Sequence, residues 1–188
     1  MTSQAIVFDI GGVLEITPDL GLTARWRGRL TDLARAGMIG EITEQEFESA
    51  LRERLGAEAD DYLDAMWREY LGTLNTELAA YLRGLRPRHR TGILSNSFVG
   101  AREREQAAYG FEDLVDEIVY SHEAGLAKPD PRAFLLVCER LGARPRDTVF
   151  LDDVPAFVEA AREAGLRGVL FESTAQAIAD VDALLTAR

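Results

Sequence analysis

Five short apolar runs, Ala5–Phe8, Thr91–Leu94, Glu117–Tyr120, Thr148–Leu151 and Gly168–Phe171, are rich in β-branched and aromatic residues. They lack the strict alternation of a strand with one wet face, so they read as strands buried on both faces, as in a parallel sheet. Helical patterns lie between the later runs. Pro131–Leu141 stops at Gly142, and Val154–Ala164 carries Pro155 in its first turn and Gly165 just past its end, the usual start and stop asymmetry. Strand followed by helix, repeated, predicts an α/β fold built on a doubly wound parallel sheet. A chain of 188 residues supports one such core and a small appended module.

The gap between the first and second runs is far too long for a single crossover. From about Thr17 to Leu85 nothing reads as a convincing strand. Thr43-Glu44-Gln45-Glu46 has the spacing of a capping box, and Phe47, Ala50, Leu51 and Leu55 then share one helical face. Tyr62–Leu71 and Thr76–Leu85 repeat the helical period, with Met66 and Trp67 in the first. The stretch reads as a helical insertion after the first strand. There it sits over the carboxyl ends of the strands, where open α/β sheets bind ligands, so it is a candidate lid.

Charge narrows the partners. With 21 basic against 32 acidic residues and a net charge of −11, no basic face is expected to bind nucleic acid. A small phosphorylated metabolite is compatible only if local cations attract it against the charge of the whole molecule. No apolar run approaches the ~20 residues of a bilayer span, so no membrane is expected. Met1–Asp9 lacks a basic segment leading into an apolar stretch, so no signal peptide is expected either. A lone cysteine, Cys138, permits no internal disulfide or multi-cysteine metal site and suits a reducing cytoplasm. Monomer and homodimer both fit this composition.

The chemistry gathers where the runs end. The first leaves through Asp9 into Ile10-Gly11-Gly12, and the second through Ser95-Asn96-Ser97. The third leads through Ser121-His122-Glu123 to Lys128-Pro129, and the fourth ends in Asp152-Asp153. In a parallel sheet these ends share one edge, so carboxylates, a hydroxyl and a lysine converge. Asp9 with Asp152 or Asp153 supplies hard oxygen ligands of the kind Mg²⁺ prefers beside substrate phosphate. A carboxylate can also attack a phosphoryl group directly. Gly11 and Gly12 let the backbone turn tightly, offering carbonyls to a metal and amides to a phosphate. Ser95 can hydrogen-bond a phosphoryl oxygen, and Lys128 brings the positive charge that a dianion and several carboxylates need in common.

These residues, in this order, resemble the haloacid dehalogenase (HAD) superfamily, in particular its branch with a helical cap after the first strand. Phe8-Asp9-Ile10-Gly11-Gly12-Val13-Leu14 is similar to the first motif and Leu94-Ser95-Asn96 to the second. Lys128-Pro129-Asp130-Pro131 is similar to the third, and Phe150-Leu151-Asp152-Asp153 to the fourth. The resemblance implies a Rossmann-like core over 1–15 and 86–188, a cap over 16–85, and strand order 3-2-1-4-5. It implies a Mg²⁺-dependent phosphohydrolase with Asp9 as nucleophile and metal held by Asp9, the Gly11 carbonyl, Asp152 and Asp153. Ser95 and Lys128 would steady the phosphoryl group, with Gly12 and Asn96 beside the substrate. A small phosphomonoester such as a sugar phosphate is the implied substrate.

The chain departs from the family pattern at Gly11, where phosphatases usually carry a second aspartate as general acid and base. Such help is worth ~10²–10⁴-fold, so alkyl phosphates are expected to turn over less well than activated aryl phosphates. Asp19, Glu15 and His122 are the candidate substitutes, each reading better as a solvated or capping residue. Two other functions fit part of the pattern. A metal-independent 2-haloacid dehalogenase needs no acid at Gly11, but does need a cation for the substrate carboxylate, with Arg25 or Arg29 as weak candidates. A phosphate-binding protein with little or no catalysis would also explain Gly11.

Overall fold

A computed structural model describes residues 4–17, 20–86 and 88–186. Its strands are β1 (Ala5–Phe8), β2 (Glu15–Ile16), β3 (Thr73–Leu74), β4 (Arg90–Ser95), β5 (Glu117–Tyr120), β6 (Thr148–Asp152) and β7 (Arg167–Leu170). The helices are α1 (Thr31–Met38), α2 (Glu44–Leu55), α3 (Ala59–Tyr70), α4 (Thr76–Leu85), α5 (Ala101–Tyr109) and α6 (Phe111–Leu114). They continue with α7 (Ser121–Ala124), α8 (Pro131–Arg140), α9 (Pro155–Glu163) and α10 (Thr174–Thr186). Five strands form one parallel sheet in the order β5-β4-β1-β6-β7. Numbered among themselves, these five give the expected 3-2-1-4-5.

Side chains leave β1 alternately to the two faces of the sheet. Ile6 and Phe8 join a core with Ile93, Leu151, Phe111 and residues of α4 and α10, while Ala5 and Val7 join Phe134, Val137, Phe150 and Ala161 on the other face. Both faces are therefore dry, which is why the strand sequences are continuously apolar. Cys138 lies in the second of these cores. No helix among the described residues is long and apolar enough to cross a membrane.

The insertion has its own core of Trp26, Leu30, Phe47, Leu51, Leu55 and Tyr62. Trp26 meets Tyr62 edge to face with ring centres 5.3 Å apart, and its Nε1 donates to Glu58. The capping box forms as read: Thr43 N donates to Glu46 Oε2 at 2.8 Å, and Glu46 N donates to Thr43 Oγ1 at 3.2 Å. Two features differ from the sequence reading. Thr73–Leu74 is a strand within the stretch read as strand-free, pairing antiparallel with Glu15–Ile16 at the foot of the insertion. Two residues are too few to leave a period. Helix α4, grouped with the insertion by its position in the chain, buries Leu78, Leu82 and Leu85 in the core of the sheet instead.

The loop that leaves β4 binds the insertion to the sheet. Phe98 sits in the insertion's core, 4.6 Å from the Phe47 ring centre and 6.5 Å from that of Trp67. A Cβ on Gly37 would lie 2.4 Å from the Phe98 ring, so α1 approaches this closely only because Gly37 has none. Polar stitches run alongside. Val99 N donates to Gly37 O at 3.2 Å, and Ser121 Oγ donates to Met38 O at 2.7 Å while accepting from Ser97 N at 2.9 Å. Removing a buried phenyl ring typically costs ~3–5 kcal/mol. Phe98→Ala is therefore expected to destabilise the protein by about 3 kcal/mol, read as a lowered urea midpoint, whereas Thr43→Ala should cost only about 1 kcal/mol through the lost cap.

Candidate active site

Three of the five parallel strands, β1, β4 and β6, deliver a polar side chain to the carboxyl edge of the sheet. Asp9 follows β1, its amide still donating to Leu151 O at 2.9 Å. Asp152 closes β6, and Ser95 closes β4. Lys128 arrives on the segment between α7 and α8 and is fully buried along its side chain. Its Nζ lies 2.8 Å from Asp9 Oδ1 and 2.6 Å from Asp152 Oδ2. Asn96 fixes the backbone that carries it: Asn96 Nδ2 donates to Lys128 O at 2.8 Å, and Lys128 N donates to Asn96 Oδ1 at 2.7 Å. Asp152 is anchored in turn, its Oδ1 accepting from Val154 N at 2.8 Å. The lysine thus bridges two strand ends rather than reaching into solvent.

Asp153 stands beside this pair. One carboxylate oxygen from each of Asp9, Asp152 and Asp153 lies within 4.8 Å of the others. Gly12 makes room for the third acid. It has φ +76°, and a Cβ there would fall 2.2 Å from Asp153 Oδ2. Its amide, which the sequence reading offered to a phosphate, instead donates to Glu15 O at 2.8 Å. What Gly12 gives the site is space. Burial pushes the Asp9 carboxyl up to about 6; Lys128 pulls it back, and Asp152 pushes it further. Burial, then Asp152, also raises Asp153. Three carboxylates face one ammonium, and the surplus of negative charge is what a divalent cation would offset.

A cleft of about 220 Å³ opens next to the cluster. Ile10, Gly11, Ser95 and Asn96 line its side nearest the strand ends, and Glu15, Thr17, Glu69, Tyr70 and Glu105 complete its lining. A Cβ on Gly11 would meet nothing within 4 Å, so the position of the absent acid is open space. Of the candidate substitutes, Asp19 lies outside the described residues. His122 does not line the cleft; its Nδ1 shares a 2.6 Å hydrogen bond with Ser97 Oγ, and burial lowers its pKa. Glu15 corrects its sequence reading. It is buried rather than solvated, it lines the cleft, and its Oε1 accepts from Tyr109 Oη at 2.9 Å and from Gly72 N.

Sequence reasoning missed Glu105. It lies in the charged string Arg102-Glu103-Arg104-Glu105-Gln106, which reads as a wet helix face, yet it is fully buried. The available signal was its position four residues after Ala101 on the inward stripe of α5. Arg25 and Arg29 are not at the cleft; they pair with Asp61 and Glu58, and Arg25 stacks on Trp26.

The motif order and this geometry agree with a wider comparison. Residues 4–165 match the sequence model of the haloacid dehalogenase-like hydrolases. The chain belongs to that family. It is 34% identical over 201 residues to Phosphatase MT3486 of Mycobacterium tuberculosis, covering 94% of this chain and 90% of the relative. It is 25% identical over 180 residues to D-ribitol-5-phosphate phosphatase of Bacteroides thetaiotaomicron, covering 85% and 87%. Among solved structures, a HAD family enzyme of Bacteroides thetaiotaomicron in complex with magnesium and inorganic phosphate aligns with a TM-score of 0.76 at 24% identity, covering 89% of this chain and 93% of that one. This HAD-like protein is a hydrolase, with phosphatases among its relatives.

The raised Asp9 carboxyl has a measurable sign. A carboxyl that binds its proton more tightly when folded loses that contribution as pH rises from the unfolded value near 3.8 through about 6. In metal-free buffer, Asp9→Asn is expected to gain stability relative to the wild type as pH rises across that window, then hold a constant difference above it. Thermal melts at half-unit steps check this. A difference that shrinks as pH rises would contradict the assignment.

Proposed function

We propose that this hydrolase is a Mg²⁺-dependent phosphohydrolase that cleaves a small phosphomonoester, such as a sugar phosphate, through an aspartyl-phosphate on Asp9. The observation that carries the reading is the buried Lys128 ammonium holding Asp9 and Asp152 together, with Asp153 alongside and an open cleft at Gly11. The three all-oxygen donors with their surplus charge suit Mg²⁺. Asp9, Asp152, Asp153 and the Gly11 carbonyl would hold it, where it would supply positive charge to the phosphoryl oxygens. Relatives named for phosphatase activity, and a structural neighbour solved with magnesium and phosphate, support the same reading.

The chain's own residues divide the work. An Asp9 carboxylate oxygen attacks phosphorus, and the bond from phosphorus to the leaving oxygen breaks. Lys128 fixes the direction of that carboxylate and offsets charge as it builds on the phosphoryl oxygens. Ser95 donates its hydroxyl to one of those oxygens. Gly11 supplies no proton, so the leaving oxygen takes one from water, and water then cleaves the acyl phosphate to regenerate Asp9. In this reading the helices from Ala24 to Tyr70 form the cap that covers the cleft, while α4 belongs to the core.

Haloacid chemistry fits less well, since no described residue lining the cleft carries a positive charge to hold a substrate carboxylate. Phosphate release from a panel of phosphomonoesters tests the proposal. Wild type with Mg²⁺ is expected to turn over, and both EDTA and Asp9→Asn should abolish turnover. With no acid at Gly11, aryl phosphates should exceed alkyl phosphates by ~10²-fold or more. Metal-independent halide release from a haloacid, with no phosphate release, would reverse the assignment.

A further inference from the structure

The insertion has a cavity of its own, of about 160 Å³, with Trp26, Leu30, Ala34 and Tyr62 in its lining beside the polar Thr23, Arg27 and Thr31. A space of this order admits a guest about the size of benzene. The cavity and the cleft at the strand ends share no lining residue. One contact connects them: Thr23 of the cavity donates its hydroxyl to Glu69 of the cleft. The cavity is therefore a separate place on the molecule, and nothing in the chemistry of the strand ends uses it.

Its charge runs against that of the chain. The sequence has 32 acidic residues against 21 basic, yet among the described lining residues no carboxylate is present and a guanidinium is. Arg25 pairs with Asp61 at 3.2 Å and Arg29 with Glu58 at 3.8 Å. Arg27, between them in the sequence and alone of the three in the lining, forms no salt bridge with a described residue. Glu69 feels the field of Arg27, but its carboxylate already accepts from the Thr23 hydroxyl and from the amides of Leu22 and Thr23.

Tyr62 supplies a second donor. Its ring meets Trp26 edge to face, and the residue is only 8% exposed. A phenol buried to this extent normally has its hydroxyl bonded to the protein. The Tyr62 hydroxyl bonds to no described residue, and it is not among the side-chain atoms sealed away without a partner, so the surface it keeps opens on the cavity. Burial, followed by the charge of Glu69, raises its pKa and keeps it a donor. The indole N–H of Trp26 is spent on Glu58, which leaves Trp26 as an apolar wall with Leu30 and Ala34. Donors on one set of residues and hydrocarbon on another suit a guest with a charged head and an apolar tail. An inorganic phosphate would leave the hydrocarbon unused and meet a single cation, and a neutral alcohol would leave the guanidinium unused.

We propose that this cavity is a binding site for a small monocarboxylate with a short hydrocarbon tail, its carboxylate held by Arg27 and the Tyr62 hydroxyl and its tail against Trp26, Leu30 and Ala34. The site stands apart from the phosphohydrolase reading, and neither depends on the other.

Butyrate is the probe, with 1-butanol and inorganic phosphate beside it. The chain has two tryptophans, so the ¹⁵N spectrum holds two indole N–H signals, told apart by Trp67→Phe. In metal-free buffer at constant ionic strength, butyrate is expected to shift the Trp26 signal saturably, half-complete at about 1 mM or below, and to leave that of Trp67 in place. 1-Butanol and phosphate should each bind about ten-fold more weakly or worse. Tyr62→Phe keeps the ring and its packing, so it should melt as the wild type does while half-saturation rises about five-fold. Arg27→Gln should raise it about ten-fold or more. The proposal is overturned if butyrate gives no saturable shift confined to Trp26, if 1-butanol or phosphate binds as well as butyrate, or if either variant binds like the wild type. Should a variant fail to fold, the three probes on the wild type decide.

Discussion

A lysine ammonium with no exposed surface is costly to bury, and this fold retains one at the meeting point of three strand ends. Lys128 is affordable there because two carboxylates contact it at 2.6 and 2.8 Å, and the same contact makes two adjacent aspartates tolerable in a dry edge of the sheet. Neither side of the arrangement stands alone. Without the lysine, Asp9 and Asp152 would repel each other with little water to screen them; without the aspartates, the lysine would be a buried charge with no partner. Asn96 grips the backbone of Lys128 from the neighbouring strand end through two hydrogen bonds. The cluster therefore ties the ends of β1, β4 and β6 together at the carboxyl edge of the sheet.

Much of this was legible in the sequence because the sheet buries both faces. A strand with two dry faces must be apolar throughout, so a polar residue at its end stands out, and Asp9, Ser95 and Asp152 were found in this way. The parallel arrangement then forces such ends onto one edge. What could not be read depends on contacts between segments far apart in the chain. Glu105 sits inside a run of alternating charges, and only the fold shows that one residue of the run turns inward against Tyr120. Helix α4 looks like its neighbours in the insertion, since amphipathic periodicity reports that a face is buried but not which core buries it. Glu15 looked solvated because the tyrosine that binds it, Tyr109, lies 94 residues away.

Gly11 and Gly12 show how two identical residues can serve opposite ends. Gly12 is glycine because its backbone turns through a positive φ and because Asp153 fills the space a side chain would take. Gly11 is under neither constraint: a Cβ there would meet nothing. Its missing side chain leaves open space in the lining of the cleft.

The loop after β4 carries Ser95 and Asn96 at one end and, two residues later, plants Phe98 in the core of the insertion. The lining of the cleft and the seating of the insertion are thus written into a single stretch of backbone. The insertion cannot be treated as a portable module, because part of its hydrophobic interior belongs to the chain segment that carries the site. Exchanging it for another would leave an aromatic ring without a socket, and would disturb the very residues that the exchange was meant to preserve. Diversification of such an insertion has to proceed with its anchoring loop, the two changing as one unit.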